Sequence, residues 1–374
     1  MFSSKNTKFY KFLFWFLVIL SILPILFTVG CSNNKPTISQ LTATPSKLAY
    51  GETSTIIVKA SDEDNDNLSF SWSCTDGSIA NQQNSSSTSS ITWTAPQEVG
   101  VYEIVVTIND GEDEIKESIN IEIMGLFYEG FTTDLGKWSN SYCSSWLASG
   151  VGHVSGNSSG FYGTMYHEFN QYVVPEYTLN MKAGRVSNFN SDEYYGLYTQ
   201  VNDDVGAFSV SYWWFIIEPS ASGENWAIIC FFYSPSSWGW VLLASNSYGN
   251  SPLISTNSNE LNNITWTIEQ DKTVIVKVGS QILYQTDEIS NIESLSGEII
   301  NMDLVSVGAR TFYNKEIKLD DVIVKTPTNA LPKIVKKVNS NSIQSLENRK
   351  DLKSIPKDFS KLKTLKEFLT EIKQ

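Results

Sequence analysis

Residues Ser211–Trp240 read SYWWFIIEPSASGENWAIICFFYSPSSWGW. This stretch holds Tyr212, Trp213, Trp214, Phe215, Trp226, Phe231, Phe232, Tyr233, Trp238 and Trp240. Two apolar runs, Tyr212–Ile217 and Trp226–Tyr233, flank Glu218–Asn225, a turn-like segment with Pro, Ser and Gly. The pattern predicts two strands joined by a loop. Successive strand residues point to opposite faces. Either Trp213 and Phe215 or Tyr212 and Trp214 therefore meet a core, and the other set meets a second layer of protein or a ligand. Trp238 and Trp240, beyond the second run, and Trp226, near Gly223, are the rings freest to meet solvent.

Working outward, the chain has 374 residues, enough for two or three domains. Its net charge is −13. From Ala330 onward 11 Lys/Arg stand against 5 Asp/Glu, so the tail is about +6 and the residues before it about −19. A body this acidic repels phosphates, which excludes nucleic acid as its partner. The two histidines, His153 and His167, leave little room for a His-built metal site or Ser-His-Asp chemistry.

Lys5, Lys8 and Lys11 precede an apolar run from Phe12 to Gly30, broken only by Ser21 and Thr28. This is the layout of a secretory signal. Thr28-Val29-Gly30-Cys31 resembles a bacterial lipobox, with Thr28 in place of the usual Leu. The resemblance implies a signal peptide over 1–30, a lipid on Cys31, and a tether over 31–35. The alternative is an uncleaved anchor, since the run of 19 residues is near the length of a membrane span. Both readings place the rest of the chain outside the cytoplasmic membrane, and Ser32 after the Cys points by the same resemblance to the outer membrane or cell surface. Cys74, Cys143 and Cys230 remain, an odd number. Cys143 and Cys230 are the natural pair if a disulfide forms; otherwise all three are buried thiols.

Residues 36–124 alternate apolar and polar in Thr53–Ala60, Leu68–Ser73 and Val101–Ile108. Asn109-Asp110-Gly111 then separates two such runs, a hairpin signal. Short, regularly spaced strands predict a β-sandwich. The passage Ala60–Trp72 (ASDEDNDNLSFSW), with Trp93-Thr94-Ala95-Pro96, Gly100-Val101-Tyr102 and Asn109-Asp110-Gly111, resembles polycystic-kidney-disease (PKD)-type and related bacterial Ig-like domains. The resemblance implies an extracellular spacer or adhesion module with Trp72 as the buried tryptophan between the sheets. Asp62, Asp64 and Asp66 are candidate ligands for Ca²⁺, a hard cation that takes six to eight oxygens. The run is not an EF-hand loop. The alternative is a solvated turn closed by its own Asn and Asp side chains. Asn81–Ser90 (NQQNSSSTSS) reads as an exposed loop.

Residues 125–326 show no sustained helical period. Trp266-Thr267-Ile268 and Val274–Val278 flank a polar turn at Glu269–Lys272, and Lys318–Val324 is a final strand. An all-β unit of about 200 residues is the size of one large jelly roll. The opening Phe131…Leu135…Trp138 and the closing Asp320-Asp321-Val322 resemble the concanavalin A-like lectin/glucanase and laminin-G class. That resemblance implies paired termini in one sheet and carbohydrate as partner. Glycosidases of this class carry carboxylates on one strand face in a Glu-x-Asp-x-(x)-Glu pattern. Glu269 with Asp271, Glu316 with Asp320, and the adjacent Asp192 and Glu193 each lack part of it.

A binding role follows better. The apolar C–H faces of sugars lie against aromatic rings, while Asn, Asp and Gln satisfy hydroxyls. The candidate ligand-binding residues are Trp238, Trp240, Trp226, Trp213, Tyr233 and Tyr198; the alternative for each is a place in the core. Thr326–Pro332 reads as a linker within the final segment 327–374. Ile355, Phe359, Leu362, Leu365, Phe368, Leu369 and Ile372 then recur at helical spacing with lysines between, predicting a short basic amphipathic helix. It would dock on the acidic body or on an anionic surface. The whole reads as an all-β envelope lipoprotein: an Ig-like β-sandwich, then a larger jelly roll that recognises a polysaccharide or glycan-bearing surface, with a membrane tether at Cys31. The alternatives are a polysaccharide-degrading hydrolase or lyase, and a structural envelope protein with no soluble ligand.

Overall fold

Strands account for nearly all of the regular structure. The computed structural model describes residues 33–327 apart from 133, 158–161, 174, 190–192, 202–208, 221–222, 234–237, 246–252, 256, 259, 288–301 and 313, together with Lys11, Leu13, Phe14, Lys363 and Thr364. At 170–172, 200–201, 209–214, 218–220, 223–225, 230–233, 238–245 and 363–364 it describes the backbone alone. Cys31 and the linker from 328 lie outside the described residues. Among the described residues no helix is long and apolar enough to cross a membrane. Two compact units emerge, one within Met1–Ser46, Thr53–Thr94 and Tyr102–Ile121, the other within Lys47–Glu52, Ala95–Val101 and Glu122–Gln374.

The first eight strands are β1 (Thr37–Thr44), β2 (Lys47–Ala49), β3 (Thr53–Ser61), β4 (Ser69–Cys74), β5 (Ser78–Asn84), β6 (Thr88–Thr94), β7 (Gly100–Asn109) and β8 (Glu114–Gly125). They form two four-stranded sheets, β1-β3-β6-β5 and β2-β8-β7-β4. The alternation in β3 puts Val58 and Ala60 on the inner face, where they meet Phe70 of β4 and Val106 and Ile108 of β7. This is a β-sandwich core contributed by both sheets. Trp93 of β6 is fully buried; its Nε1 donates to the Asp76 carbonyl at 3.0 Å. Trp72 does pack between the sheets, as expected, but the expectation that it is buried there is corrected. Trp72 lies on β4, at the margin of its sheet, where it is only half-buried against the core and donates to Ser89 Oγ at 2.9 Å.

The loop expected over Asn81–Ser90 is also corrected: β5 and β6 pair through it, with Gln83 opposite Ser90 and Asn84 opposite Ser89. β5 is an edge strand with its side chains mostly in water, so its composition is that of a loop.

The second unit continues with β9 (Phe127–Glu129), β10 (Ser139–Ser141), β11 (Cys143–Ala148), β12 (Val151–Gly156), β13 (Tyr162–Val173), β14 (Tyr177–Arg185), β15 (Tyr195–Val201), β16 (Ser209–Ser220), β17 (Gly223–Tyr233) and β18 (Trp238–Ser245). There follow β19 (Asn262–Ile268), β20 (Val274–Val278), β21 (Gln281–Thr286), β22 (Leu304–Phe312), β23 (Glu316–Lys325) and the two-residue β24 (Lys363–Thr364). One sheet runs β10-β13-β22-β15-β16-β17-β18-β24; the other runs β11-β12-β23-β14-β19-β20-β21, with β9 on β23. Their inner faces share one core, in which Met165, Leu197, Phe215, Ile228 and Ala309 of the first sheet meet Leu179, Met181, Ile264, Trp266 and Val276 of the second. The sandwich is closed at its termini by β9 against β23, with Phe127 opposite Val324.

The aromatic hairpin is β16 with β17. Its two strands run past the expected loop and pair to Ser220 opposite Gly223, leaving a two-residue connection. Phe215 and Ile217 belong to the inter-sheet core, and Ile216 between them is fully buried as well. At these positions both faces of the strand are covered.

Lys363 and Thr364 pair in parallel with Val241 and Leu242 of β18. These two residues therefore extend a sheet edge, where the expectation was a helix: the unpaired backbone groups of β18 offer hydrogen bonds. The rest of the expected helix lies outside the described residues.

Candidate functional site

On β13, β22 and β15 the residues that alternate with the core set form three cross-strand rows. In register, Thr164 lies opposite Arg310, which lies opposite Gly196; Tyr166 opposite Gly308 and Tyr198; and Glu168 opposite Ser306 and Gln200. The central strand thus has little or no side chain at Gly308 and Ser306, between larger residues on either side. Gly308 has no room for more: a Cβ there would stand 2.1 Å from the Met165 carbonyl oxygen. The floor is buried, with Ser306 at 0% and Thr164 at 2% exposure, while Tyr166, Glu168 and Arg310 are half-buried.

Arg310 is held in place twice. Its Nε donates to Thr164 Oγ1 at 2.8 Å, and its guanidinium lies 4.3 Å from the centroid of the Tyr198 ring. A guanidinium over an aromatic face gains from the ring quadrupole and keeps its donor fork flat. Beside it Tyr162 stacks on Tyr194 at 5.2 Å between centroids, and their hydroxyls are hydrogen-bonded. Burial raises the Tyr162 phenol to about 12. Burial likewise raises the Glu168 carboxyl above its ordinary value. Ser306 Oγ is buried with no hydrogen-bond partner among the described residues. A buried hydroxyl without a partner costs free energy that a ligand oxygen can recover.

Two expected ligand residues are placed differently. Tyr198 is 2% exposed and its ring face is taken by Arg310. Trp226 is 8% exposed in the inter-sheet core, 6.3 Å from Phe215 and 6.5 Å from Tyr284 between centroids. The short hairpin connection carries β17 through Trp226, opposite Ile217, rather than leaving it at a free turn. Trp213, Tyr233, Trp238 and Trp240 stand on described strands, but their side chains lie outside the described residues, as does that of Cys230. Cys143 is buried, its Sγ donating to the Thr164 carbonyl at 3.2 Å. The sequence reading missed Arg310, Tyr166, Glu168 and Ser306; the small-residue pattern Ser306-x-Gly308 on a strand was the available signal.

Asp62, Asp64 and Asp66 do come together, with one carboxylate oxygen of each within 4.8 Å of the others. Asp62 Oδ1 accepts the amides of Asp64 at 2.8 Å and Asp66 at 3.3 Å, a self-closed turn. Asp62 Oδ2 is buried without a partner among the described residues. These oxygens fit a hard cation such as Ca²⁺, with water and backbone supplying the remaining ligands. Asp320 and Asp321, at the close of the unit, are both bridged by Lys182. Asp271 closes the β19–β20 turn by accepting the Thr273 amide at 2.9 Å.

No family model and no curated protein matches the chain. Solved structures similar to it are a protein of unknown function with galectin-like fold from Bacillus subtilis (10% identity, TM-score 0.36, covering 54% of this chain and 94% of that one) and β-agarase A from Zobellia galactanivorans (10%, 0.38, 50% and 82%). A legume lectin-like domain from Entamoeba histolytica is similar at 9% identity and TM-score 0.34, covering 51% of this chain and 90% of that one.

Proposed function

We propose that the second unit binds carbohydrate on the face formed by β13, β22 and β15, and that the chain presents it at the cell envelope from a lipid on Cys31. The observation that carries the binding reading is the buried hydroxyl of Ser306, without a hydrogen-bond partner among the described residues, beneath half-buried Tyr166, Glu168 and Arg310. A sugar ring has apolar C–H faces for Tyr166 and a rim of hydroxyls. The hydroxyls can accept from Arg310 and donate to Glu168, and one can pair with Ser306. Lipid attachment is supported by the lipobox-like Thr28–Cys31 and the apolar run before it.

Glu168 favours hydrolysis as the second reading, because a carboxyl raised by burial suits a general acid. Glycoside hydrolysis ordinarily needs two carboxyl groups. Glu168 is the only one in these rows.

The test is a glycan array probed with the purified full-length chain, followed by Arg310→Ala and Tyr166→Ala. Each substitution is expected to weaken binding by about tenfold or more, the cost of losing one well-made polar or aromatic contact. Binding that both substitutions leave intact overturns the placement; absence of binding to any glycan overturns the function. Release of reducing ends that Glu168→Gln abolishes moves the assignment to hydrolysis. Labelling with a radioactive fatty acid, lost in Cys31→Ala, checks the anchor.

A further inference from the structure

The other sheet of the second unit carries an exposed aromatic feature on its first strand. Trp146 of β11 is 39% exposed, and Tyr142, at the head of that strand, is 43% exposed. Scattered exposed rings need no explanation. This one is buttressed. His153 of β12, directly opposite Trp146 in register, stacks on the indole at 5.3 Å between centroids and 20° between planes. His153 is in turn fixed by a 2.8 Å hydrogen bond between its Nδ1 and Glu316 Oε1 of β23. Three strands thus combine to hold one indole in a set orientation, with one face against imidazole. Tyr142 takes a φ of +52°, a left-handed conformation that is strained for a bulky L residue. The surroundings are polar: exposed Ser144 and Asn157 are joined by a 3.2 Å hydrogen bond from Ser144 Oγ to Asn157 Oδ1.

From this geometry we infer that Trp146 and Tyr142 form a second carbohydrate-binding platform, separate from the β13–β22–β15 face and suited to the exposed flank of an uncharged polysaccharide. The negative face of a fixed aromatic ring meets the weakly positive C–H edge of a pyranose. An indole already held in orientation loses little side-chain freedom on binding. Hydroxyl and amide groups beside the rings match sugar hydroxyls, whereas an apolar peptide would require a greasy surround. An acidic body gives an anionic glycan no long-range attraction, which favours a neutral chain.

Affinity electrophoresis tests this with the purified full-length chain in gels containing mixed-linkage β-glucan, xylan or galactomannan. Trp146→Ala is expected to raise the apparent Kd for the retarding polysaccharide at least tenfold and Tyr142→Ala by a few-fold. His153→Ala should fall between wild type and Trp146→Ala, because the indole remains but loses its backing. Trp146→Phe should recover part of the loss, which separates stacking from misfolding; unchanged circular dichroism checks the same point. Wild-type-like retardation of both Trp146→Ala and Tyr142→Ala, with loss in Arg310→Ala, overturns the platform and leaves the other face standing. Loss in Trp146→Ala with none in Arg310→Ala does the reverse. Failure of all three gels to retard the wild type overturns the platform.

Discussion

Replacing Trp93 should damage the first unit far more than replacing Trp72. Trp93 is fully buried, and Trp→Ala in a core costs about 3–5 kcal/mol. The lost Nε1 bond to the Asp76 carbonyl puts this site toward the upper end, since a hydrogen bond contributes roughly 1 kcal/mol. Trp72 is half-buried at the sheet margin, so its removal strips about half as much packing, on the order of 2 kcal/mol. A sandwich of roughly 90 residues has a total stability of about 5–13 kcal/mol. Trp93→Ala therefore takes a large share of it. Hydrogen exchange read by mass spectrometry on peptides from β3 and β6 suits a chain with two units, because it reports opening locally. At tenfold per 1.4 kcal/mol, Trp93→Ala should speed exchange there by about 100–3,000-fold and Trp72→Ala by roughly 30-fold. Gly77→Ala is a companion: φ is +82° and a Cβ would stand 2.5 Å from the Thr94 carbonyl oxygen and 2.8 Å from Trp93 Nε1. If Trp72→Ala speeds exchange as much as Trp93→Ala does, the ranking of the two tryptophans by burial is wrong.

Two pH effects follow from buried groups in the second unit. His167 stacks on Phe127 at 4.1 Å between centroids, and burial lowers its imidazole below its ordinary value. A lowered folded value means that stability is complete above about pH 6.5 and is lost as pH falls through the folded value, so His167→Gln should flatten thermal stability between pH 7 and 5. Glu129 accepts the Phe131 amide at 2.7 Å and is raised above the usual carboxylate range, first by burial. Its charged form is penalised above the raised value, so Glu129→Gln should increase the melting temperature at neutral pH and not at pH 4. A loss of stability at neutral pH would contradict this.

Period-two alternation carried the sandwich architecture well. Thr53–Ala60, Val101–Ile108 and Val274–Val278 became strands because apolar residues at every second position can be buried only on a pleated surface. Where composition served as a proxy for structure, it misled. Ser and Asn in Asn81–Ser90 mark a wet edge strand as readily as a loop. The choice between Trp72 and Trp93 depends on where each strand sits within its sheet, and spacing along one chain does not encode that. The same holds for Arg310, Tyr166 and Ser306. Their adjacency arises when β22 inserts between β13 and β15, joining residues more than a hundred positions apart.

At the described positions of the aromatic hairpin, ring density coincides with core. A long strand in the interior of a sheet has neighbours along both edges, and in a sandwich at least one face packs on the other sheet. On β16 the described positions are buried on both faces, so large side chains there are held as structure. On the binding faces proposed above, rings meet ligand under two other circumstances. One is a strand beside a position with no side chain, as at half-buried Tyr166 opposite Gly308. The other is a strand at a sheet margin, as at Trp146, where one flank faces solvent and the next strand supplies only a buttress. What distinguishes each residue is the small or polar group placed beside it, Gly308 opposite Tyr166 and His153 opposite Trp146. A search of such a sequence for ligand contacts should therefore weigh a Trp or Tyr placed across from Gly, Ser or His as well as a run of rings.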